Sequence, residues 1–559
     1  MIKKRIMGAS IGNCVHVAGV VHFLNQAEDE GYQSIFLGPA IAVDEIIRSV
    51  ELHKPDMVGL AYRLTPENGV AVIQELIAKS ASLTYKPIWI FGGTRPVAER
   101  VAELGFFDKI FDSSEDLDDC IAFLRNQARE QSDEAFAETL VERMAQKKPY
   151  PLLRHHFGLP SYEETVKGIT QIAESRVLDI ISLGIDQNTQ QFFFRPDEKD
   201  PKMAGAGGVP VNSAEEFARL KAASKVGNYP LMRCYSGTAD VIELAQVLTD
   251  SIQNAWCAVP LCWYNELDGR GTRKLEDSMH EAQALMRWHG ERNIPVEMNE
   301  PHHWGLRDAH DTISVVMSHI SAYNALRCGV RDYISQYMFN IPNSLTFSMD
   351  LAKVLAQIEL TESLADDNFR IYRQTRAGLP FLSGDPDIAK GQLAASTSLQ
   401  MAVNPHIIHV VGYSEGEYAA TPEVVIESSR IVRGVIRSTL YGNVNAAADP
   451  LVERRKKELL SEARFLLNFI VERYQEVSED PLADADVLSD CIRCGILDAP
   501  HIVKGKGFHG NVKTRVISGM SLAVDPTNNQ PIDERTRLNL LNLRDTGSRS
   551  SNLTAVGGR

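Results

Sequence analysis

Short apolar runs alternate with amphipathic helical segments along most of this chain, and that alternation leaves room for little but parallel-sheet α/β folds. Near the amino end the apolar runs lie around Arg5, Ser34, Met57, Ile88 and Lys109. Five such units predict a doubly wound sheet of flavodoxin (Rossmann) type over residues 1–128, closing with a helix from Leu117 to Arg129. Residues 129–151 are polar and charged and end in Lys147-Lys148-Pro149-Tyr150-Pro151, which reads as a linker that lets its neighbours move. Beyond it the alternation resumes with a longer repeat, with runs at Val177–Leu183, Pro230–Cys234, Ala255–Leu261, Pro295–Met298, Asp332–Ile334, Phe369–Tyr372 and His406–Val411. Roughly eight βα units over about 300 residues predict a (β/α)8 TIM barrel across 152–480, with its active site at the carboxyl ends of the strands. A charged helix from Leu451 to Val477 then leads to a barrel-associated segment, 481–559.

Charge and cysteine usage narrow the partners. Lys and Arg number 58 against 73 Asp and Glu, a net charge of -15, and no basic block tracks a phosphate backbone, so nucleic acid is not an expected partner. No apolar run reaches the roughly 20 residues needed to span a bilayer, and the expected setting is cytoplasmic, away from membranes. The eight cysteines are scattered through a large chain, which argues for free thiols. Cys491 and Cys494 form the one close pair and lack the matching ligands a zinc site needs.

The segment Gly8-Ala9-Ser10-Ile11-Gly12-Asn13-Cys14-Val15-His16-Val17-Ala18-Gly19 sits where a strand gives way to a helix, and a histidine on such a turn is a ready metal ligand. The order His16-x-x-Gly19, then Asp56–Leu60, then Phe91-Gly92-Gly93, then Gly105–Phe111 resembles the cobalamin-binding domain of vitamin B12 enzymes. The resemblance implies that His16 replaces the cofactor's benzimidazole as lower axial cobalt ligand. It also implies that Gly19, Gly92 and Gly93 border the slot for the cofactor tail. Two positions depart from the family pattern: Cys14 stands where an Asp is usual, and the third loop reads Ala61-Tyr62-Arg63.

From Arg154 to about Leu540 the chain resembles the barrel-forming subunit of glutamate mutase (methylaspartate mutase), an adenosylcobalamin enzyme. The matching landmarks are Gly184-Ile185-Asp186-x-x-Thr189, Ser236-Gly237-Thr238-Ala239-Asp240, Trp263-Tyr264-Asn265, Met298-Asn299-Glu300-Pro301, Glu415 with Thr421, and Cys494–Pro500. The likeness implies a radical isomerase or mutase with adenosylcobalamin (cobalt) as cofactor, a small-molecule substrate, a homodimer and no further metal. It casts Asp186, Thr189 and Glu300 as cofactor-binding residues and Glu415 as the holder of the adenosyl ribose. Arg154 becomes a grip on a substrate carboxylate, and Tyr264 a substrate contact. Of the family's three substrate arginines only Arg154 stays in register; the others fall on Gln190 and Tyr235, with Arg233 two residues before the latter as the alternative if the loop is rearranged. The family's ammonium-receiving glutamate has no counterpart in Cys257–Cys262. A charge-poor site lined by Trp256, Leu261 and Trp263, and a substrate other than glutamate, are therefore expected. The alternatives are a corrinoid methyltransferase and a non-enzymatic cobalamin sensor or carrier.

Overall fold

The computed structural model describes residues 4–112, 120, 123–124, 136–235, 237–502, 508 and 510–541. It divides into two compact units, Met1–Ala135 and Phe136–Arg559. Most of the helix expected over Leu117–Arg129, and Ser236, lie outside the described residues.

In the first unit β1 (Arg5–Ile11), β2 (Gln33–Ile41), β3 (Met57–Tyr62), β4 (Ile88–Gly93) and β5 (Lys109–Phe111) form one sheet in the order β2-β1-β3-β4-β5. All neighbours are parallel. Successive strand residues face opposite sides of a sheet. Met7, Val58 and Trp89 accordingly bury against helices Val43–His53, Pro66–Ser80 and Arg95–Ala102, while Ile6, Met57 and Ile90 bury against helix Ala18–Asp29. The chain crosses from β2 on one side of β1 to β3 on the other, so the carboxyl ends of β1 and β3 flank the crevice where sheets of this kind take ligands.

The second unit is an eight-stranded parallel, nearly closed TIM-like barrel. Its strands are β6 (Leu152–Phe157), β7 (Ile180–Leu183), β8 (Leu231–Arg233), β9 (Cys257–Ala258), β10 (Val296–Met298), β11 (Asp332–Phe339), β12 (Arg370–Ala377) and β13 (Ile407–His409). They follow one another around the ring, and β13 returns to pair with β6. Between β8 and β9 a different join replaces the ladder. The Ala255 N–H donates to the Met232 carbonyl at 2.9 Å, and the Asn254 side-chain amide accepts from the Cys234 N–H at 2.8 Å and donates to its carbonyl at 2.9 Å.

The linker expected over 129–151 is corrected in its second half. Helix Leu140–Lys147 belongs to the barrel unit: Leu140 and Met144 pack among Leu152, Ile180, Leu231 and Ile407, at the amino ends of the strands. The buried Arg143 fastens it by donating to the carbonyls of Asn228 and Tyr229. At the other end of the chain, helix Ala485–Arg493 and helix Glu534–Leu540 bury Leu488, Ile492 and Leu538 in the same core as Leu275, Met279 and Ile313. Cys491 and Cys494 are free thiols within it. No helix among the described residues is long and apolar enough to cross a membrane.

Candidate functional site

The loop after β1 is built to present one imidazole. Gly12 turns it with φ +68°, and an added Cβ there would stand 3.0 Å from a Val72 methyl, so the position needs glycine. Tyr62 donates its hydroxyl to Asn13 Oδ1 at 3.0 Å, and Ser10 donates to the His16 carbonyl at 2.6 Å. His16 itself is exposed. Its Nδ1 lies 3.8 Å from the buried Cys14 Sγ, and Nε2 bonds to no other described residue.

His16 opens on a cavity of about 400 Å³ lined also by Gly19, Phe23, Gly59, Gly92 and Gly93. A Cβ at Gly19 or Gly92 would meet nothing within 4 Å, so both backbones face open space. Gly93 differs: a Cβ there would stand 2.8 Å from the Phe91 ring and 2.9 Å from the Tyr62 carbonyl oxygen, which is a packing requirement. A fixed loop carrying an uncommitted imidazole nitrogen beside a glycine-lined slot fits a corrinoid, which His16 would hold through that nitrogen while Gly19 and Gly92 leave it room. The His16→Ala protein is expected to bind cob(II)alamin without the nitrogen coupling of a protein imidazole. Electron paramagnetic resonance reads this directly, and an unchanged coupling would remove His16 from the cobalt.

A second cavity, of about 340 Å³, lies at the carboxyl ends of the barrel strands. Arg154 of β6, Arg233 of β8 and Arg376 of β12 all line it. Beneath them Glu297, fully buried on β10, accepts through Oε2 from Arg154 (2.6 Å), Arg233 (2.9 Å) and the Trp256 indole N–H (2.6 Å). Arg154 also donates to Gln374 at 2.9 Å, and Gln374 to Gln336 at 3.0 Å, so a belt of hydrogen bonds crosses the barrel. Burial alone would raise the Glu297 carboxyl, but the two guanidinium groups hold it down to about 2. Burial presses Arg154 down to about 9 against the pull of Glu297, so both are charged at neutral pH.

The expected charge-poor site is thus corrected. Trp256 and Trp263 are fully buried with their N–H groups given to Glu297 and Glu300, and neither lines the cavity. Arg233, the alternative to Tyr235, does line the cavity, and Arg270 and Arg376, which the resemblance did not point to, bring in further positive charge. Gln190 spends its side-chain N–H on the Ile185 carbonyl at 2.7 Å. Arg154, Tyr264 and Glu415 do meet at the cavity. Tyr264 holds φ +65° and stacks on Tyr235 with ring centres 6.2 Å apart, under the Arg270 guanidinium at 4.1 Å. Glu415 lies 3.9 Å from His155 Nε2 and accepts from the Gly412 N–H at 3.1 Å.

Three expected cofactor contacts have structural work instead. Asp186 is fully buried and caps the helix Gln187–Phe192, accepting from the Thr189 N–H (2.8 Å) and hydroxyl (2.6 Å) and from the Gly205 N–H (2.9 Å). Thr189, also buried, bonds onward to both main-chain groups of Val211. Glu300 accepts from the N–H groups of Leu261 (2.7 Å) and Cys262 (3.2 Å) and from the indoles of Trp263 (2.8 Å) and Trp304 (3.1 Å). The Asp186 and Glu300 carboxylates lock the loops after β7 and β9, and none of the three residues lines the cavity. Asp186→Ala should therefore cost about 1–2 kcal/mol of stability, as loss of a helix cap does, with cobalamin affinity unchanged. Chemical denaturation and cofactor titration measure the two separately.

Residues 4–121 match the family model described as the B12 binding domain. In this chain a B12-binding domain is followed by a TIM-type barrel. No curated protein matches it. Among solved structures, a novel cobalamin-binding protein from Desulfitobacterium hafniense DCB-2 is 25% identical over 19% of this chain and 52% of its own, TM-score 0.17, so the match spans about half of that protein. A truncated 3-deoxy-D-arabino-heptulosonate 7-phosphate synthase from Thermotoga maritima is 12% identical over 52% of this chain and 89% of its own, TM-score 0.31. The apo cobalamin-dependent S-adenosylmethionine radical enzyme OxsB is 12% identical over 89% and 76%, TM-score 0.19.

Proposed function

We propose that this protein is an adenosylcobalamin-dependent isomerase that rearranges a small carboxylic acid held in the barrel cavity. The observation that carries the reading is the pairing, in one chain, of an imidazole-bearing slot with a barrel mouth lined by four guanidinium groups, of which Arg270 is paired with Asp268. When bound, adenosylcobalamin supplies a carbon-centred radical able to take a hydrogen atom from a substrate. The protein's share is to place and shield that substrate. Arg376 and the free edges of Arg154 and Arg233 orient an anion, and Glu297 fixes the latter two from below. Tyr235 and Tyr264 form an aromatic wall that keeps water from the reacting carbon.

Four guanidinium groups line the cavity; Arg270 is paired with Asp268 at 2.8 Å, and the other three stand against Glu297 and Glu415, an excess of one positive charge that suits one substrate carboxylate. Glutamate and 3-methylaspartate each add a second carboxylate, for which no cation is left, and an ammonium, which meets only Glu415, already facing Arg376; on this reading neither is the substrate. The test is anaerobic incubation with adenosylcobalamin or methylcobalamin and a panel of small acids, read by electron paramagnetic resonance. A substrate-dependent radical signal with the adenosyl form supports the isomerase. Methyl transfer from the methyl form would replace it with the methyltransferase, and turnover of glutamate at about 1 per second or faster would refute the substrate assignment.

A further inference from the structure

Helix Glu300–Gly305, which follows β10, carries a second set of groups into the barrel cavity: Asn299 at its start, then His302 and His303. β10 lies four strands around the ring from β6, the strand of Arg154. The helix is held stiffly, because Glu300 at its first turn takes all four donors from the Leu261–Trp263 loop and Trp304. Around His303 stand the rings of Trp263 at 5.7 Å, Tyr264 at 5.4 Å and His302 at 5.3 Å. Packed so tightly, His303 is 3% exposed, yet neither of its ring nitrogens has a hydrogen-bond partner among the described residues. His302 Nδ1 and Asn299 Oδ1 are likewise unpartnered. Buried polar atoms left in this state call for a ligand that satisfies them.

Resting on the reading of this cavity as the substrate site, we infer that its substrate carries, besides one carboxylate, an uncharged oxygen or amide function, which His303, His302 and Asn299 recognise. The chemistry of the wall excludes an ammonium group. Burial, reinforced by the nearby arginines, holds both imidazoles well below their ordinary range, so each is neutral and offers one donor and one acceptor. An ammonium could donate to these acceptors, but it would bring a buried cation beside Arg270, Arg307 and Arg376 with no free carboxylate to offset it. The one carboxylate lining the cavity, Glu415, already accepts from Gly412 and faces the Arg376 charge. A hydroxyl, carbonyl or amide can meet a neutral imidazole with either polarity, and a site built for such a group rejects an analogue that cannot supply it.

The test uses the full-length cobalamin-loaded protein and isothermal titration with 2- and 3-hydroxybutyrate, 2- and 3-aminobutyrate, and butyrate. At least one hydroxy acid is expected to bind about tenfold or more tighter than its amino counterpart and than butyrate. His303→Leu should erase that preference, while His303→Gln, which keeps a donor and an acceptor, should hold it to within about threefold. Melting temperature and cobalamin content of each variant serve as fold controls, and Asn299→Leu gives a second loss variant should His303→Leu not fold. Equal or tighter binding of an amino acid, a preference that survives the loss variants, or no binding by any of the five would overturn the inference. Failure of the isomerase reading would look different: hydroxy acid binding intact, with no radical signal and no turnover.

Discussion

Replacing Glu297 with leucine is expected to destabilise the barrel by about 3–5 kcal/mol, the usual cost of stranding a buried charge. The carboxylate is fully enclosed and is the anion shared by two guanidinium groups that are themselves 1% and 2% exposed. Removing it leaves Arg154 and Arg233 side by side with no counter-charge, each stacked only on the Trp256 ring. Glu297→Gln should cost less, since the amide oxygen still accepts. The pH dependence follows from the direction of the shift. The folded carboxyl is held at about 2, below its ordinary 4.5, so its contribution is complete above about pH 4.5 and is lost as pH falls toward 2. Urea titrations of the two proteins at neutral and acid pH should converge at the acid end, and parallel pH profiles would contradict this account.

Gly92→Val is expected to abolish cobalamin binding, a loss of about a hundredfold or more in affinity, without harming the fold. Gly92 is at the end of β4, where valine is well accommodated. A Cβ there meets no protein atom within 4 Å, and the space it would enter is the slot beside His16. The apoprotein should melt at the parent temperature or slightly above, because a strand gains stability when glycine is replaced. Gly93→Val reverses the pattern, since the new methyl groups press on Phe91 and the Tyr62 main chain. The visible absorption of retained corrinoid after gel filtration, set against the melting temperature, separates the two. Cofactor retention by Gly92→Val would show that the tail does not run past this residue.

The slot was legible in the sequence because its chemistry sits on turns. His16 follows the apolar strand β1, Gly92 lies at the end of β4 and Gly19 opens the helix Ala18–Asp29, and polar or glycine residues stand out beside apolar runs. The barrel cavity was less so, and β12 shows why. An apolar run marks only Phe369–Tyr372, yet the strand continues to Ala377. Side chains two apart share a face, so Gln374, which crosses the barrel to Arg154, carries Arg376 to the same interior. Extending the strand by its period, although its residues are polar, would have found Arg376. The same rule links Arg154 with His156 and Arg233 with Tyr235. Glu297 was hidden by the opposite effect, a lone carboxylate between Val296 and Met298 in a strand read only for its apolar neighbours. The structural partners of Asp186, Thr189 and Glu300 were not legible, because a polar side chain after a strand serves equally well to cap a helix, tie a loop or meet a ligand, and only the partners distinguish the uses.

The join between β8 and β9 bears on how such a barrel changes its diet over evolutionary time. A main-chain ladder constrains every residue along both of its strands, whereas this join holds only two positions of the β8 segment, Met232 through the Ala255 N–H and Cys234 through the Asn254 amide. Segments leaving β8 and β9 deliver Tyr235 and Tyr264 to the cavity. Insertions in those segments can remodel one wall while the Glu297 belt, anchored on β6, β8 and β10, keeps its geometry. On the proposed reading, selection would thus vary the room for a substrate's tail without reinventing how its head is held.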